Sequence, residues 1–233
     1  LPDPDYFRLE PHLEFVSLTP GKVVYEPGGE APYVYFPTEG IVSVLATLED
    51  RTSVEIAIIG NEGIVGTSLL LEGIAAHAPL RSSVVQVAGH AYRLRGDFLM
   101  EEFERGGELR HWLLRYTQAL ITQIAQIAVC IRHHDLEAQV CRWLLQRLDR
   151  LKSVELYVTH KEIASLLGVR REGVTEAACH LQDAGLIRYS RGHVTVLDRA
   201  GIEQRACECL GVIQKEYDRL LDVSDLGAAR PAY

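Results

Sequence analysis

The sequence predicts an α+β chain: an N-terminal double-stranded β-roll (jelly-roll-like), a long dimerisation helix and a C-terminal winged helix-turn-helix. Three observations predict it. The first hundred residues alternate short Val-, Ile- and Tyr-rich runs with turn residues. From about Gly107 the apolar period changes to that of a helix. Residues 159–187 then carry a helix cap, a glycine turn, a second amphipathic helix and a glycine stop, in that order.

The expected strands cover residues 14–18, 22–25, 34–36, 41–48, 52–59, 82–87 and 91–94. Pro20-Gly21, Pro27-Gly28-Gly29, Glu39-Gly40, Glu49-Asp50-Arg51, Gly60-Asn61-Glu62-Gly63 and Gly89 punctuate them. Evenly spaced short strands suit a roll or barrel. Residues 66–72 are expected as a short inserted helix. In the long helix, Leu113, Leu120, Ile124, Ile127 and Ile131 form an apolar stripe. The stripe could pack on the strand domain. The length of the region, without internal Gly or Pro, favours a parallel helix pair across a dimer two-fold. Asp135 is suited to cap a helix over 136–151 and marks a hinge. A last amphipathic helix is expected over 201–221. The division is therefore 1–106 for the roll, 107–134 for the dimer helix, 135–221 for the winged module and 222–233 for a flexible tail.

Composition narrows the function classes. The chain has 233 residues, 47% hydrophobic and 24% charged, which is ordinary globular composition. A net charge of −8 argues against a broad basic coat for nucleic acid, yet leaves room for a small local basic face. No run of 18 apolar residues suggests a membrane span, so no membrane partner is expected. The N-terminus lacks the basic and apolar regions of a signal peptide. The five cysteines are odd in number and suit reduced thiols, so a cytoplasmic protein is expected.

Residues 159–193 carry the chemistry. Thr159 and Glu162 have capping-box spacing. Ile163, Ala164 and Leu167 line the inner face of the first helix, and Gly168 makes the turn. The second helix should run over 170–184, with Val174, Ala177, Ala178 and Leu181 inward and Gly185 as its stop. Ser190-Arg191-Gly192-His193 reads as the hairpin of a wing. A recognition helix presents its N-terminal residues to the major groove, here Arg170, Arg171, Glu172 and Thr175. Arg can donate twice to guanine, and Glu can accept from the cytosine amino group. Thr159, His160, Lys161, Arg191 and His193 are expected at phosphates. Five cations (Lys161, Arg170, Arg171, Arg188, Arg191) against four anions (Glu162, Glu172, Glu176, Asp183) leave this segment at +1 in an acidic chain.

Over nearly its whole length the sequence resembles the Crp/Fnr family of bacterial transcription regulators. The resemblance rests on the order of roll, long helix and hinge Asp, and on the segment Thr-His-Lys-Glu-Ile-Ala-Ser-Leu-Leu-Gly-Val-Arg-Arg-Glu-Gly-Val-Thr. Within it, Arg171-Glu172-Gly173-Val174 is similar to the family's Arg-Glu-x-Val signature. It implies a homodimer, a pseudo-palindromic double-stranded DNA operator, an effector pocket in the roll, and RNA polymerase as a partner. The pocket would involve Gly66, Thr67, Ser68, Arg81 and Ser82. Cyclic-nucleotide members carry Gly-Glu-Leu where this chain has Gly66-Thr67-Ser68, so the ribose-binding Glu is missing. Ile124-Ala125 stands where hydroxyls would meet a purine, and the loop 74–80 looks longer than usual. A cyclic nucleotide is therefore not favoured, and the effector is left unidentified.

No Cys precedes Cys130, which argues against the family's N-terminal iron–sulfur cluster. Haem, held through some His or Cys, stays open, although nothing marks the ligand. Cys207 and Cys209, read as one helix, would point to opposed sides and chelate poorly, and His133-His134 reads as a polar hinge pair. No metal ligand is expected. Two rival classes remain. One is a signalling module whose winged helix binds protein instead of DNA, which the exposed Arg pair disfavours. The other is a cupin-type metalloenzyme, disfavoured because His12, His77 and His90 are isolated. Neither a nucleophile elbow nor a phosphate-binding Gly loop points to an enzyme.

Overall fold

The computed structural model describes residues 3–26, 28–29, 32–50, 52–72 and 81–221. Pro27, Arg51, His77, the loop 74–80 and the tail 222–233 lie outside the described residues.

Seven strands build the roll: β1 (Glu14–Leu18), β2 (Val23–Tyr25), β3 (Tyr33–Pro37), β4 (Ile41–Thr47), β5 (Ser53–Ile59), β6 (Arg81–Val87) and β7 (Gly89–Arg95). They pair antiparallel in two sheets, ordered β1-β7-β3 and β2-β6-β4-β5. Each expected run is a strand, with ends shifted by no more than two residues. Between the sheets, Leu18, Tyr35, Val42, Ile59, Val85 and Ala91 form a core. Before β1 stands a short helix, α1 (Asp3–Leu9). The expected inserted helix is α2 (Ser68–Glu72).

The roll is closed from outside by α3 (Gly96–Arg105) and α4 (Gly107–His133), with α9 (Cys209–Leu221) laid along α4. Val34, Ala57, Leu94 and Leu99 pack there with Leu113, Tyr116 and Leu120 of α4 and Ile213, Tyr217 and Leu220 of α9. Gln123 ties all three parts together. Its side chain accepts from the Ile58 amide at 2.7 Å and donates to the Tyr217 hydroxyl at 2.7 Å.

This packing corrects the expected dimer stripe. Leu113, Leu120 and Ile127 are buried within the chain itself, Ile124 is half-buried and only Ile131 is exposed. Leu113, Leu120 and Ile124 pack against the roll and α9. The exposed face of α4 instead carries His111, Leu114, Gln118, Ile121, Ala125, Ala128 and Arg132, at alternating 3-4 spacing.

Asp135 caps α5 (Leu136–Leu151) by accepting from the Ala138 amide at 2.8 Å. Helix α5 is buried nearly all round, as a central core helix must be. The helix-turn-helix packs on it: α6 (His160–Leu167) and α7 (Arg171–Asp183), followed by the wing strands β9 (Ile187–Ser190) and β10 (His193–Val196). A third strand, β8 (Glu155–Tyr157), gives the wing sheet the order β8-β10-β9. The expected single helix over 201–221 is two: α8 (Arg199–Arg205) and α9, broken at Ala206, Cys207 and Glu208. Asp198 caps α8 through the Gly201 amide at 3.0 Å, and Ala206 is already extended.

Candidate nucleic-acid interface and effector cavity

The first helix of the reader begins with a complete capping box. Thr159 Oγ1 accepts from the Glu162 amide at 3.2 Å, while the Glu162 carboxylate accepts from the Thr159 amide at 2.6 Å. Two otherwise orphaned helix-end donors are thereby satisfied. Gly168 ends α6 at φ +67, and a Cβ there would stand 3.2 Å from Val54 Cγ2 of β5. Glycine thus serves both the left-handed turn and a close approach to the roll.

Helix α7 begins one residue later than expected, because Arg170 is its extended N-cap and not its first turn. Val174, Ala177, Ala178 and Leu181 are buried as expected, and Gly185 follows at φ +73. Arg170, Arg171 and Glu172 are exposed at the start of α7, beside exposed Lys161 on α6. Arg191 and Gly192 form the two-residue wing turn, both at positive φ (+50 and +77), the backbone of a tight hairpin. Arginine rarely adopts this conformation, yet here it holds the exposed wing tip.

Four other expected contact residues are engaged within the chain. Thr159 is held by its capping box. Thr175 donates its hydroxyl proton to the Arg171 carbonyl at 3.0 Å, and His160 Nδ1 lies 3.0 Å from the same hydroxyl oxygen. Since that single proton is used, Nδ1 must carry the hydrogen. The His160 ring also stacks on Tyr189 at 4.2 Å. Burial and then the Arg171 cation hold the His160 pKa below the usual histidine value. His193 stacks on Tyr157 at 4.4 Å, with Nε2 3.4 Å from Glu155. These contacts tie the start of α6 to α7 and to the wing sheet. The residues free to face a duplex are Lys161, Arg170, Arg171, Glu172 and Arg191, with Arg188 exposed on the wing.

The roll holds a cavity of about 70 Å³. Gly66, Thr67, Ser68 and Arg81 converge on it, as expected, together with Tyr25 and Glu26. Ser82 does not line it; Ser83 does. The reason is the two-residue strand period: Arg81 and Ser83 share one face of β6 and Ser82 points to the other. Leu120 and Ile124 of α4 complete the lining, so this cavity touches the long helix directly.

The hinge holds a feature that the sequence reading missed. Because the last helix breaks at 206–208, Cys207 and Cys209 are not on one helix face. They turn toward Cys130 and His134, and the four ligand atoms lie within 4.8 Å of one another. The expectation of no metal-binding set rested on an unbroken helix.

Comparison with known proteins agrees with this architecture. The cyclic nucleotide-binding domain family matches residues 15–105, and the Crp-like helix-turn-helix domain family matches residues 138–205. The global nitrogen regulator of Synechococcus elongatus is 21% identical over 201 residues, 83% of this chain and 90% of that protein. The transcriptional regulator LdrP of Thermus thermophilus is 27% identical over 202 residues, 81% of this chain and 95% of its own length. Among solved structures, a Crp/Fnr-family regulator from Eubacterium rectale superposes with a TM-score of 0.70 at 15% identity, covering 88% of this chain and 94% of that one. FixK2 from Bradyrhizobium japonicum does so at 0.70 and 16%, covering 84% and 98%. At such identities the solved structures establish the fold. The two domain families, in this order on one chain, establish more: the chain belongs to the Crp/Fnr family and is a DNA-binding transcription regulator.

Proposed function

We propose that the chain works as a homodimer whose two α7 helices read a pseudo-palindromic operator in successive major grooves. One observation carries the assignment of contacts. Lys161, Arg170, Arg171, Arg188 and Arg191 are all exposed, and none forms an ion pair within 4.0 Å among the described residues. In a chain of net charge −8, three cations at the start of the helix-turn-helix pair (Lys161, Arg170, Arg171) and two on the wing (Arg188, Arg191), each without an ion-pair partner among the described residues, supply a local anion-binding face. Arg170, Arg171 and Glu172 are the base readers; Lys161, Arg188 and Arg191 hold phosphates.

The exposed 3-4 stripe of α4 supports the pairing. Its apolar members are Leu114, Ile121, Ala125 and Ala128, and Leu114 and Ile121 are 44% and 52% exposed. A strict 3.5-residue stripe is the seam of a parallel coiled coil. Residues 1–106 would sense, 107–134 pair and 135–221 read.

The roll cavity is assigned to a small effector. Its volume of about 70 Å³ falls well below the roughly 300 Å³ of an ordinary small-molecule site. A ligand among Thr67, Ser68 and Arg81 would press on Leu120 and Ile124 and so bias the α4 seam. Acting on the chromosome, the protein works in the cytoplasm, as a regulator of RNA polymerase and not as an enzyme.

Selection of bound duplexes from a random pool tests the reading. Enrichment of a two-fold site with half-sites about 34 Å apart is expected. Absence of any enriched sequence overturns it and favours a protein-binding winged helix.

A further inference from the structure

The cluster at the hinge is unused by DNA reading. Cys130 lies near the end of α4, His134 is the residue that caps it, and Cys207 and Cys209 flank Glu208 in the α8–α9 turn. Cys130 Sγ is 3.4 Å from Cys207 Sγ, and Cys209 Sγ is 3.5 Å from His134 Nδ1. All four donor atoms lie within 4.8 Å of one another. Around one tetrahedral ion, with zinc–sulfur bonds of about 2.3 Å and zinc–nitrogen bonds of about 2.0 Å, donors stand roughly 3.5–3.8 Å apart. The cluster therefore needs only a small closure to hold a single metal. An iron–sulfur cube spaces its thiolates around several irons and asks for a wider set.

The surroundings are those of a metal site. His134 presents Nδ1 to the cluster, and its Nε2 lies 3.2 Å from the Glu208 carboxylate. Such a carboxylate fixes the ring and strengthens it as a ligand. Gln126 Nε2 donates to Cys209 Sγ at 3.2 Å, and Arg142 Nε donates to Cys130 Sγ at 3.3 Å.

Arg142 is the second, independent observation. It is 2% exposed, yet among the described residues it forms no ion pair; its other partner is the neutral Gln146 side chain at 2.7 Å. A buried charge is normally paired or placed beside a metal centre. Three thiolates and one neutral imidazole around a divalent cation carry a net charge of −1, which Arg142 balances.

We propose that Cys130, His134, Cys207 and Cys209 bind one zinc-class divalent cation in a closed tetrahedral site that pins the end of α4 to the α8–α9 turn. Three thiolates and one imidazole, with no open position, match a structural zinc centre. On binding, each of the three thiols loses its proton to solvent as its sulfur takes up the metal. His134, with 20% of its side chain exposed, provides the entry side.

The test uses the full chain, expressed with added zinc, purified under reducing conditions and dialysed against metal-free buffer. Elemental mass spectrometry should find about one zinc per chain in the wild type and in Cys179→Ser, whose exposed thiol lies outside the cluster. Cys209→Ser should retain less than about a tenth of that. Reconstitution with cobalt should give the visible d–d bands of a tetrahedral thiolate site in the wild type and in Cys179→Ser, and not in Cys209→Ser. If Cys209→Ser does not fold, His134→Ala, confirmed folded by circular dichroism, takes its place. Glu208→Gln should keep the stoichiometry and weaken zinc affinity roughly 10–100-fold. Wild type without zinc or a cobalt spectrum overturns the proposal, as does undiminished zinc in the ligand variant. DNA binding enters none of these readouts, so the result is independent of the operator-reading assignment.

Discussion

Arg147 of α5 and Glu55 of β5 form an ion pair closed off from solvent on both sides, their side chains 2% and 5% exposed. The Arg147 guanidinium also lies 3.6 Å from the centroid of the Trp143 ring, and Ser43 donates to the same Glu55 carboxylate. Burial pulls the Arg147 pKa down, against the stabilising effect of Glu55. This pair joins the roll to the central helix of the reader, as does Arg150 of α5 with Glu62 at 2.8 Å. Breaking the Arg147–Glu55 pair leaves a charge in the interior. Glu55→Gln should destabilise the chain by about 3–5 kcal/mol, measured by urea denaturation. The double variant Glu55→Gln/Arg147→Met should recover much of that loss. Equal loss in both would mean that packing, and not the stranded charge, sets the cost.

The two faces of α4 predict opposite phenotypes. Leu120 is 8% exposed in the chain's own core, so Leu120→Ala should cost about 2–5 kcal/mol of stability. Ile121, one residue on, is 52% exposed. Ile121→Glu should leave the fold intact and convert a dimer to a monomer in sedimentation equilibrium. A variant that stays dimeric would reject the seam.

His160 makes the reader sensitive to acid. Its Nδ1–H faces Thr175, and its Nε2 is buried with no hydrogen-bond partner among the described residues. The folded state therefore disfavours the imidazolium, in agreement with its lowered pKa. The unfolded chain takes up the proton near pH 6.5. The contribution is fully present above about pH 6.5 and is lost as pH falls below that value toward the lower folded pKa. His160→Gln, which keeps a donor for Thr175, should lose less stability than wild type between about pH 7 and pH 5. Parallel pH profiles from calorimetry would contradict this.

The capping box gives a local prediction. Thr159→Ala should cost about 1 kcal/mol, and Thr159→Ser should restore most of it. An Ala variant as stable as wild type would show that tertiary packing alone holds the start of α6.

Legibility in the sequence followed the strength of local signals. The strands between Gly21 and Gly89 could be read because turn residues bound them and β-branched residues fill them. Thr159, Glu162, Gly168 and Gly185 fixed the reader for the same reason. What failed depended on partners distant in sequence. An apolar stripe on α4 cannot tell which neighbour covers it; α9, about a hundred residues later, takes Leu113 and Leu120. Nothing local in the sequence announces that Thr175 and His160 bond to each other, because that contact spans two helices. Ser82 was placed on the cavity by resemblance, whereas strand alternation puts Ser83 there. The break at Ala206 has no Gly or Pro to announce it, so the thiol cluster stayed hidden. Strand β8 is three residues long and has no pattern of its own.

The most direct test of the central claim is operator binding by Arg171→Ala, titrated in parallel with Lys161→Ala on the selected site and its single-base variants. Arg171→Ala should lose about 1–3 kcal/mol on the selected site and become indifferent at one base pair of each half-site. Lys161→Ala should weaken all sequences alike and reduce the salt dependence by about one counterion per contact. If Arg171→Ala keeps the wild-type base preference at every position, α7 is not the element that reads the sequence.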